Sequence, residues 1–461
     1  MIKISQLQDQ NPWWQKKITL PEAKMPKRFL HKEISKQINS RFVLGILGLR
    51  RVGKSTLLKQ IICRLLERKI NPIRIFYFSF DQDMVIKTAD ALESCLTGYF
   101  SEILEEKPSL LKKPVYIFID EIQYIDFWQD VIKRYYDLSP KIKFFITGSQ
   151  SIILSGKSKE SLAGRMYEYY LEPLCFDEFL LIANKKIIRK NYINDVFAAA
   201  ATFTALAKEN YSAGRAIEKN AKEYLLAGQF PEIAKIKNIK DKYYYIKESI
   251  IGKILEKDIP QFYEITKVAN LKIMAEHLIE NSSSLFAVNN IARNVGINRL
   301  TAESYFTYLE KGYLINTLYR HTKSKIKQGR LLKKSYAHSI NFICALGGWK
   351  DDYYNEVPGV FGKVVETYVF NVFKNMAVKH NYDLSFFSQG NKEIDFIIRN
   401  RNKICPIEVK FKTNILNSDF KYLVDYCCDK KIKHGIVVTK NLIEKRNIRG
   451  VNILFVPFYF F

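Results

Sequence analysis

Apolar residues follow two patterns in the amino-terminal third of the chain: short unbroken runs and longer stretches with helical spacing. The unbroken runs predict buried strands at 42–47, 74–80 and 115–119, with a further strand in KIKFFITGSQS. Apolar residues three and four positions apart predict helices at 56–67, 89–106 and 127–136. Because the strands alternate with helices, this part of the chain is predicted to form a parallel, doubly wound α/β sheet.

The loop after the first predicted strand reads GLRRVGKST, and its Gly48, Gly53, Lys54 and Ser55 have the spacing of a P-loop. In such loops the backbone N–H groups and the helix N-terminus bind phosphate, the lysine reaches the β- and γ-phosphates, and the serine hydroxyl completes a Mg²⁺ shell. The alternative is a glycine turn before an ordinary helix, which the flanking strand and apolar helix disfavour. We therefore predict that ATP and Mg²⁺ bind here. Further residues predicted to contact the nucleotide are Arg50, Arg51 and Thr56.

The segment PVYIFIDEIQYI ends a predicted strand in two adjacent acids, Asp120 and Glu121. Open α/β sheets bind ligands at the carboxyl ends of their strands. We predict that Asp120 holds Mg²⁺ through water and that Glu121 polarises the attacking water, although two acids at a strand end can also form a solvated turn. The next strand ends in polar residues, among them Ser149, that are placed to sense the γ-phosphate.

The composition limits the classes of protein to which the chain can belong. Its 461 residues suggest three or four domains, and 73 Lys and Arg against 47 Asp and Glu give a formal charge of +26. That surplus is compatible with a nucleic-acid partner, but lysine-rich compositions also arise from genome bias. The seven cysteines form no CxxC pair, no apolar stretch is long enough to span a membrane, and no signal peptide is recognisable. We expect a soluble cytoplasmic protein with reduced thiols and no membrane insertion.

The middle of the chain contains a helix-turn-helix pattern. Helices at 288–294 and 300–311, separated by a turn and followed by a strand at 313–319, predict a winged helix. In a DNA-reading version, the start of the second helix would meet base edges, but Glu303 is unfavourable beside phosphates, so we favour packing against the protein's own ATPase. Between Glu310 and Asp351 there are nine Lys and Arg and no acid, which predicts either a phosphate-binding surface or a solvated face.

A second candidate site lies near the carboxyl end. GVFGKVVETYVFNVF predicts a helix with Glu366 at the edge of its apolar stripe, and EIDFII and KICPIEVK predict two strands joined by a turn. Pairing of those strands would bring Asp395, Glu408 and Lys410 together. Two carboxylates for a divalent cation and a lysine at the phosphate are what phosphodiester hydrolysis requires. The alternatives are an exposed hairpin or a fold whose chemistry has lapsed.

Taken together, NPWW, GLRRVGKST, FIDEIQYI, ITGSQS, LAGR, LEPLCFDEF and LLAGQFPE resemble a prokaryotic family of AAA-like, STAND-related P-loop ATPases with a carboxyl-terminal domain of unresolved function. The resemblance implies that an arginine after the sensor strand completes the ATPase site, with Arg165 as the candidate and Arg50 or Arg51 as alternatives. The carboxyl-terminal pattern resembles the D…E-x-K core of the restriction-endonuclease-like superfamily, which implies Glu366, Asp395 and Glu408 as metal ligands. The implied domains are an extension (1–30), a P-loop ATPase core (31–180), a helical lid (181–275), a winged helix (276–330) and an α/β nuclease-like domain (331–461).

These observations favour an ATP-hydrolysing switch that couples its nucleotide state to a nuclease-like domain acting on or near DNA. The alternative is a nucleotide-controlled signalling or scaffold protein whose terminal domain binds a protein and whose metal site has lapsed. A homo-oligomer is compatible with either function.

Overall fold

The computed structural model describes residues 3–15, 19–81, 88–148, 162–186, 189–265, 267–322, 332–349, 354 and 358–461. The chain divides into two compact units, Met1–Pro173 and Leu174–Phe461. Within the described ranges, no helix combines the length and apolarity that crossing a membrane requires. The finer domain boundaries proposed from the sequence stay predictions.

The amino-terminal unit is built on a five-stranded parallel sheet in the order β2-β3-β4-β1-β5. Its strands are β1 (Val43–Leu47), β2 (Ile75–Ser79), β3 (Val115–Asp120), β4 (Ile142–Gly148) and β5 (Met166–Tyr170). Its α-helices are α1 (Ile4–Gln10), α2 (Leu30–Lys36), α3 (Lys54–Glu67), α4 (Ala89–Gly98) and α5 (Trp128–Leu138). The first three strands are buried along almost their whole length, as unbroken apolar runs require. The predicted parallel P-loop NTPase sheet is confirmed.

One predicted helix, 89–106, is interrupted. Helix α4 ends at Gly98, and Tyr99–Ile103 continues as a π-helical turn. Tyr99 and its neighbour Phe100 are both buried, and the Tyr99 ring lies 4.7 Å from Phe76 and 5.7 Å from Trp14. The wider π turn allows two consecutive aromatic residues to face the core.

The NPWW segment covers the edge strand β2. The Asn11 side chain donates to the Tyr77 carbonyl at 2.8 Å and accepts from the Tyr77 N–H at 2.7 Å, so that one amide completes the hydrogen bonds of a strand residue. The indoles of Trp13 and Trp14 both donate to the Ile75 carbonyl, at 3.0 and 2.8 Å. This segment therefore satisfies backbone groups that an uncovered sheet edge would leave unpaired.

The carboxyl-terminal unit contains two sheets. A three-stranded antiparallel sheet has the order β6-β8-β7, and a six-stranded mixed sheet has the order β13-β14-β12-β11-β10-β9. The strands are β6 (Leu285–Phe286), β7 (Ile315–Tyr319), β8 (Lys333–Ala337), β9 (Asp383–Gln389), β10 (Lys392–Asn400), β11 (Lys403–Lys410), β12 (His434–Thr439), β13 (Glu444–Ile448) and β14 (Val451–Pro457).

The α-helices of this unit include the 29-residue helix α7, which lies within the region 181–275 that the sequence assigned to a lid. They are α6 (Phe176–Ile182), α7 (Ala199–Ala227), α8 (Ile239–Tyr244), α9 (Ile259–Phe262), α10 (Val268–Glu280), α11 (Val288–Val295), α12 (Arg299–Lys311), α13 (Ile340–Gly347), α14 (Pro358–His380) and α15 (Lys421–Asp429). A 3₁₀ turn, Asn417–Phe420, directly precedes α15.

Helices α11 and α12 and strand β7 occur where the sequence predicted a winged helix. Gly296 ends α11 with φ of 74°, a left-handed conformation that suits glycine. The Asn298 side chain caps α12 by accepting from the Thr301 N–H at 2.8 Å. The local geometry thus contains the predicted elements, and their function as a winged helix stays a prediction.

The two sheets of this unit are connected directly. Arg320, just after β7, forms a parallel bridge with Phe386 of β9, and the His321 N–H donates to the Phe386 carbonyl at 2.7 Å. The Ser282 and Thr367 hydroxyls lie 2.8 Å apart, which links the small sheet to α14. Strand β8 is therefore held close to α14 and to the large sheet.

Candidate functional site

The loop between β1 and α3 has the backbone conformation of a phosphate-binding loop. Gly48 has φ of +153° and Gly53 has φ of +99°, and α3 begins immediately afterwards, at Lys54. A Cβ at Gly48 would lie 2.3 Å from the Leu171 carbonyl oxygen, so no larger residue fits there. The ammonium of Lys54 donates to the carbonyls of Gly48 and Leu49 at 3.2 and 3.0 Å. The loop therefore holds Lys54 buried at the start of the helix.

Asp120 ends β3 beside this loop and is almost completely buried. The Tyr77 hydroxyl donates to its Oδ2 at 2.9 Å, and the Thr147 hydroxyl donates to its Oδ1. Burial raises the pKa of Asp120 and the neighbouring charge of Glu121 raises it further, whereas hydrogen bonds from Ser55, Thr147 and Tyr77 oppose the rise. Residues on the two neighbouring strands, β2 and β4, and on α3 thus fix the orientation of this carboxylate.

Glu121 has a left-handed backbone conformation, with φ of 54°. Its N–H donates to the Thr147 hydroxyl at 3.0 Å, Gln123 donates to its Oε2, and its Oε1 lies 3.8 Å from the Lys54 ammonium. Burial alone would raise the pKa of Glu121, but Lys54, the Gln123 hydrogen bond and Arg50 outweigh it and lower the pKa. A non-glycine residue held in this region is strained, and such strain concentrates at functional sites. Glu121 is therefore an ionised carboxylate beside the phosphate loop.

Ser55, Thr56, Arg50 and Arg51, which were also predicted to contact the nucleotide, lie in the phosphate loop or in the first turn of α3. Ser55 and Thr56 are half-buried in the first turn of α3, and the Arg50 guanidinium donates to the Tyr124 hydroxyl at 2.8 Å. Arg51 is exposed, with φ of 66°. Ser149 lies outside the described residues.

The structure does not bring Arg165 to this site. Its carbonyl accepts from the Val43 N–H at 2.9 Å, at the beginning of β1, and its side chain lies 3.3 Å from Asp137. The phosphate loop follows the other end of β1, whose five residues span about 16 Å at roughly 3.3 Å per residue. Because the strands are parallel and Arg165 precedes β5, Arg165 lies at the end of the strands opposite to the phosphate loop of the same chain. Its assignment as the arginine that completes the ATPase site stays a prediction.

Arg28 belongs to the structure of the phosphate site, although the sequence analysis missed it. Its guanidinium donates to the Val52 carbonyl at 2.7 Å and to the Glu172 carbonyl at 2.8 Å, and the residue is buried. It thus ties the segment before α2 to the phosphate loop and to the segment after β5. No periodicity or motif spacing marks Arg28, because its partners are backbone carbonyls far away in sequence.

In the carboxyl-terminal unit, β10 and β11 pair as predicted, in antiparallel register with Phe396 opposite Ile407. Asp395 is buried on β10, and its Oδ2 accepts from the Val409 N–H of β11 at 2.8 Å. On β11 the Lys410 ammonium lies 2.6 Å from Glu408 Oε1. The strands therefore place Asp395, Glu408 and Lys410 in one region.

A residue missed by the sequence analysis lies among these acids. Lys334 of β8 is almost completely buried, and its ammonium lies 2.7 Å from Glu393, 3.1 Å from Glu366 and 3.5 Å from Asp395. The Tyr336 hydroxyl also donates to Glu366, at 2.8 Å. The sequence placed Lys334 within the basic run between Glu310 and Asp351, and only the fold shows that its charge faces inward. We name Lys334, Tyr336, Glu366, Glu393, Asp395, Glu408 and Lys410 the β8 charge cluster.

Burial and a neighbouring negative charge raise the pKa of two acids of the β8 charge cluster, Glu366 and Glu408. Burial, followed by the charge of Asp395, raises the pKa of Glu366 to about 7 and that of Glu408 to about 8. Burial alone would lower the pKa of Lys334, but the surrounding negative charges raise it. Lys334 is therefore protonated at any physiological pH.

Two metal sites were predicted, and their residues fit a metal differently. Beside the phosphate loop, the Ser55 hydroxyl is hydrogen-bonded to the Asp120 carboxylate. A hydroxyl and a carboxylate are suitable oxygen ligands for Mg²⁺. Across the described part of the chain, no three His, Cys, Asp or Glu side chains are grouped to hold a metal ion, and the metal site of Glu366, Asp395 and Glu408 stays a prediction. The Lys334 ammonium is within 3.5 Å of both Glu366 and Asp395, where it competes with a metal for their oxygens.

Comparisons with known proteins agree with the geometry of the amino-terminal unit. Residues 40–180 match the model of an AAA domain. Two further models, each described as a domain of unknown function, match residues 218–351 (DUF8612) and 361–459 (DUF4143). The phosphate loop, the parallel sheet and this match together give the amino-terminal unit the fold of an AAA-like P-loop ATPase.

Relatives of similar length are themselves uncharacterized. An uncharacterized protein of Methanocaldococcus jannaschii is 26% identical over 400 residues, which are 85% of this chain and 80% of that protein. An uncharacterized protein of Haemophilus influenzae is 24% identical over 425 residues, 90% of this chain and 93% of the relative. Among solved structures, the Aeropyrum pernix Orc1 protein in complex with DNA aligns at 12% identity with a TM-score of 0.32, covering 73% of this chain and 96% of that one. A similarity at that level supports no inference about function.

Proposed function

We propose that this protein is a Mg²⁺-dependent ATP hydrolase that works as a nucleotide-controlled switch. The observation that carries the proposal is the arrangement at the carboxyl edge of the parallel sheet. There the buried Lys54 ammonium lies 3.8 Å from an ionised Glu121, next to the oriented carboxylate of Asp120. A phosphate-binding cation, a metal-binding carboxylate and a base side by side are what phosphoryl transfer to water requires.

The residues divide the work as follows. Backbone N–H groups of the loop and the start of α3 bind the phosphates, and Lys54 exchanges its two carbonyl partners for phosphate oxygens. Ser55 and Asp120 would hold Mg²⁺, which supplies neutralisation of the charge that develops on the phosphate oxygens. Glu121 orients the attacking water and accepts its proton, and the Gln123 hydrogen bond keeps its carboxylate in place.

The direct test is release of phosphate from ATP by the purified full chain, with and without Mg²⁺. Lys54→Ala is expected to abolish nucleotide binding. Lys59→Ala is the matched control, because Lys59 lies on the same helix but pairs with Glu22 at 3.2 Å and is partly exposed. A wild-type protein that neither binds nor hydrolyses ATP would overturn the proposal, as would normal hydrolysis by Lys54→Ala.

For the carboxyl-terminal unit, the geometry favours the scaffold function over catalysis. Lys334 neutralises the acids that a nuclease would use for metal, so we propose that nucleotide state controls binding of a partner by this unit. The strongly basic composition favours a nucleic acid as that partner. The part of the basic run at 323–331 lies outside the described residues, so its contribution rests on the sequence alone.

DNA cleavage is the second candidate function, and one observation favours it. Asp395, Glu408 and Lys410 do meet on neighbouring strands, as an E-x-K nuclease requires. Incubation of a labelled duplex with the full chain, ATP and either Mg²⁺ or Mn²⁺ separates the two candidates. Cleavage that disappears in Asp395→Ala would establish the nuclease, and DNA binding without cleavage would support the scaffold.

A further inference from the structure

The β8 charge cluster has a cation at its centre that belongs to the protein. The Lys334 ammonium contacts carboxylates from two elements: Glu366 of α14 at 3.1 Å, and Glu393 and Asp395 of β10 at 2.7 and 3.5 Å. Only 3% of its side chain is exposed. A buried ammonium with three carboxylate partners is stabilised in the charged form.

The backbone of Lys334 is also fixed. Strand β8 is the central strand of its sheet, and Lys334 is paired with Leu285 of β6 on one side and with Leu318 of β7 on the other. A neighbouring residue, Ala337, donates its N–H to the Ser282 hydroxyl at 2.9 Å. A movement of the β8 backbone that took Lys334 out of the cluster would therefore break the strand pairing on both sides of β8.

The oxygens of the acids are largely occupied. Asp395 uses Oδ1 for Lys334 and Oδ2 for the Val409 N–H, while Glu366 Oε1 accepts from both Lys334 and Tyr336. Glu408 Oε1 is taken by Lys410, and among the described residues its buried Oε2 has no hydrogen-bond partner. A hard divalent cation needs about six oxygen ligands, some of which can be water. It would have to displace the lysine to obtain them.

We propose that Lys334 is the resident cation of the β8 charge cluster and that it closes the cluster to divalent metal ions. The cluster then holds β8, α14 and the large sheet together through ion pairs, and the carboxyl-terminal unit does not become a metal-dependent nuclease while Lys334 is in place. All participating residues lie in this unit, so the inference holds whether or not the amino-terminal unit hydrolyses ATP.

The test is calorimetric titration of Mn²⁺ into the full chain without nucleotide. Every protein carries Asp120→Asn, so that the ATPase site does not contribute to the heat. The background protein is expected to show no binding heat at millimolar Mn²⁺, whereas Lys334→Ala is expected to bind Mn²⁺ through Glu366, Asp395 and Glu408. A neighbouring charge at this distance changes the proton affinity of a carboxylate by about 10- to 1000-fold, so removal of Lys334 should tighten metal binding by at least about tenfold.

Two further measurements guard against a variant that does not fold. Mn²⁺ should raise the melting temperature of Lys334→Ala but not that of the background protein, since a ligand of the folded state stabilises it. The double variant Lys334→Met, Glu393→Gln removes one charge of each sign and keeps Glu366, Asp395 and Glu408, so it should also gain Mn²⁺ binding.

Two outcomes overturn the proposal. One is Mn²⁺ binding by the background protein that Asp395→Asn removes, because the metal would then enter with Lys334 in place. The other is a folded Lys334→Ala or double variant that shows neither binding heat nor stabilisation, because the lysine would then not be what excludes the metal. Failure of ATP hydrolysis, by contrast, would leave these titrations unchanged.

Discussion

Replacement of Glu121 by Gln tests the central assignment of the ATPase site. Glutamine has nearly the same shape, so the contacts of the side chain with Gln123 and the left-handed backbone can be kept. What disappears is the negative charge, and with it the ability to accept a proton from water. The structure therefore predicts a variant that binds ATP and does not turn it over.

The magnitude follows from the function assigned to the carboxylate. A positioned general base contributes about 10²- to 10⁴-fold to a rate, so phosphate release by Glu121→Gln should fall by that factor, equivalent to roughly 3–5 kcal/mol of activation free energy. ATP affinity should be equal to or tighter than that of wild type. The reason is that the Glu121 carboxylate, 3.8 Å from the Lys54 ammonium, competes with phosphate for it, and the variant removes that negative charge.

The assay pairs steady-state phosphate release with equilibrium binding of a fluorescent ATP analogue. Glu93→Gln is the matched control, since Glu93 lies on α4 in the same unit and pairs with the exposed Arg134. Its turnover should match that of wild type. Wild-type turnover by Glu121→Gln would refute the base assignment, and loss of ATP binding in this variant would mean that Glu121 shapes the loop instead.

Four further predictions concern the surroundings of the site and the basic run. Burial and the charge of Glu121 raise the pKa of Asp120, and the hydrogen bond from Tyr77 opposes that rise. Tyr77→Phe removes this hydrogen bond and should raise the pKa further. Because the ionised carboxylate is required, the loss of ATPase activity on the acid side should move to higher pH. Arg165→Ala should leave turnover by a monomeric protein unchanged, and slower hydrolysis would restore its catalytic assignment. Asn11→Ala leaves the Tyr77 N–H and carbonyl unpaired and should lower the free energy of unfolding by roughly 2 kcal/mol or more, measured by denaturant titration. Replacing the four basic residues at 323, 325, 327 and 330 by Gln should flatten the salt dependence of DNA affinity, and equal slopes would make the run a solvated face.

The ATPase site could be predicted from sequence because its determinants are local. The loop needs glycines at fixed offsets before Lys54, and Asp120 directly ends an unbroken apolar run, so short windows contain the information. The position of Arg165 could not be predicted, because its determinants are not local. Its position depends on which end of β5 lies beside which end of β1, and a motif order does not specify that register.

The carboxyl-terminal site shows the same limit more sharply. The pairing of β10 with β11 was predictable from two apolar segments and a short turn, and it brings Asp395 and Glu408 into one region. Lys334 approaches those acids from a different sheet, so no spacing rule could include it. It belongs to a stretch with nine Lys and Arg and no acid, so the sequence assigned its charge to the surface.

The two lysines with carboxylate neighbours explain why one site is suited to ligand exchange and the other is not. Lys54 is held mainly by two neutral carbonyls of a glycine loop, and its carboxylate partner Glu121 is 3.8 Å away. Lys334 contacts three carboxylates, and it lies on β8, a central strand that is paired on both sides. The carbonyl partners of Lys54 are neutral, whereas each carboxylate partner of Lys334 can carry a negative charge that adds Coulomb attraction to the hydrogen bond. Phosphate can therefore take Lys54 from its carbonyls more easily than a ligand can take Lys334 from its acids. A lysine beside acids therefore indicates a binding site only where its other partners are weak enough to be replaced.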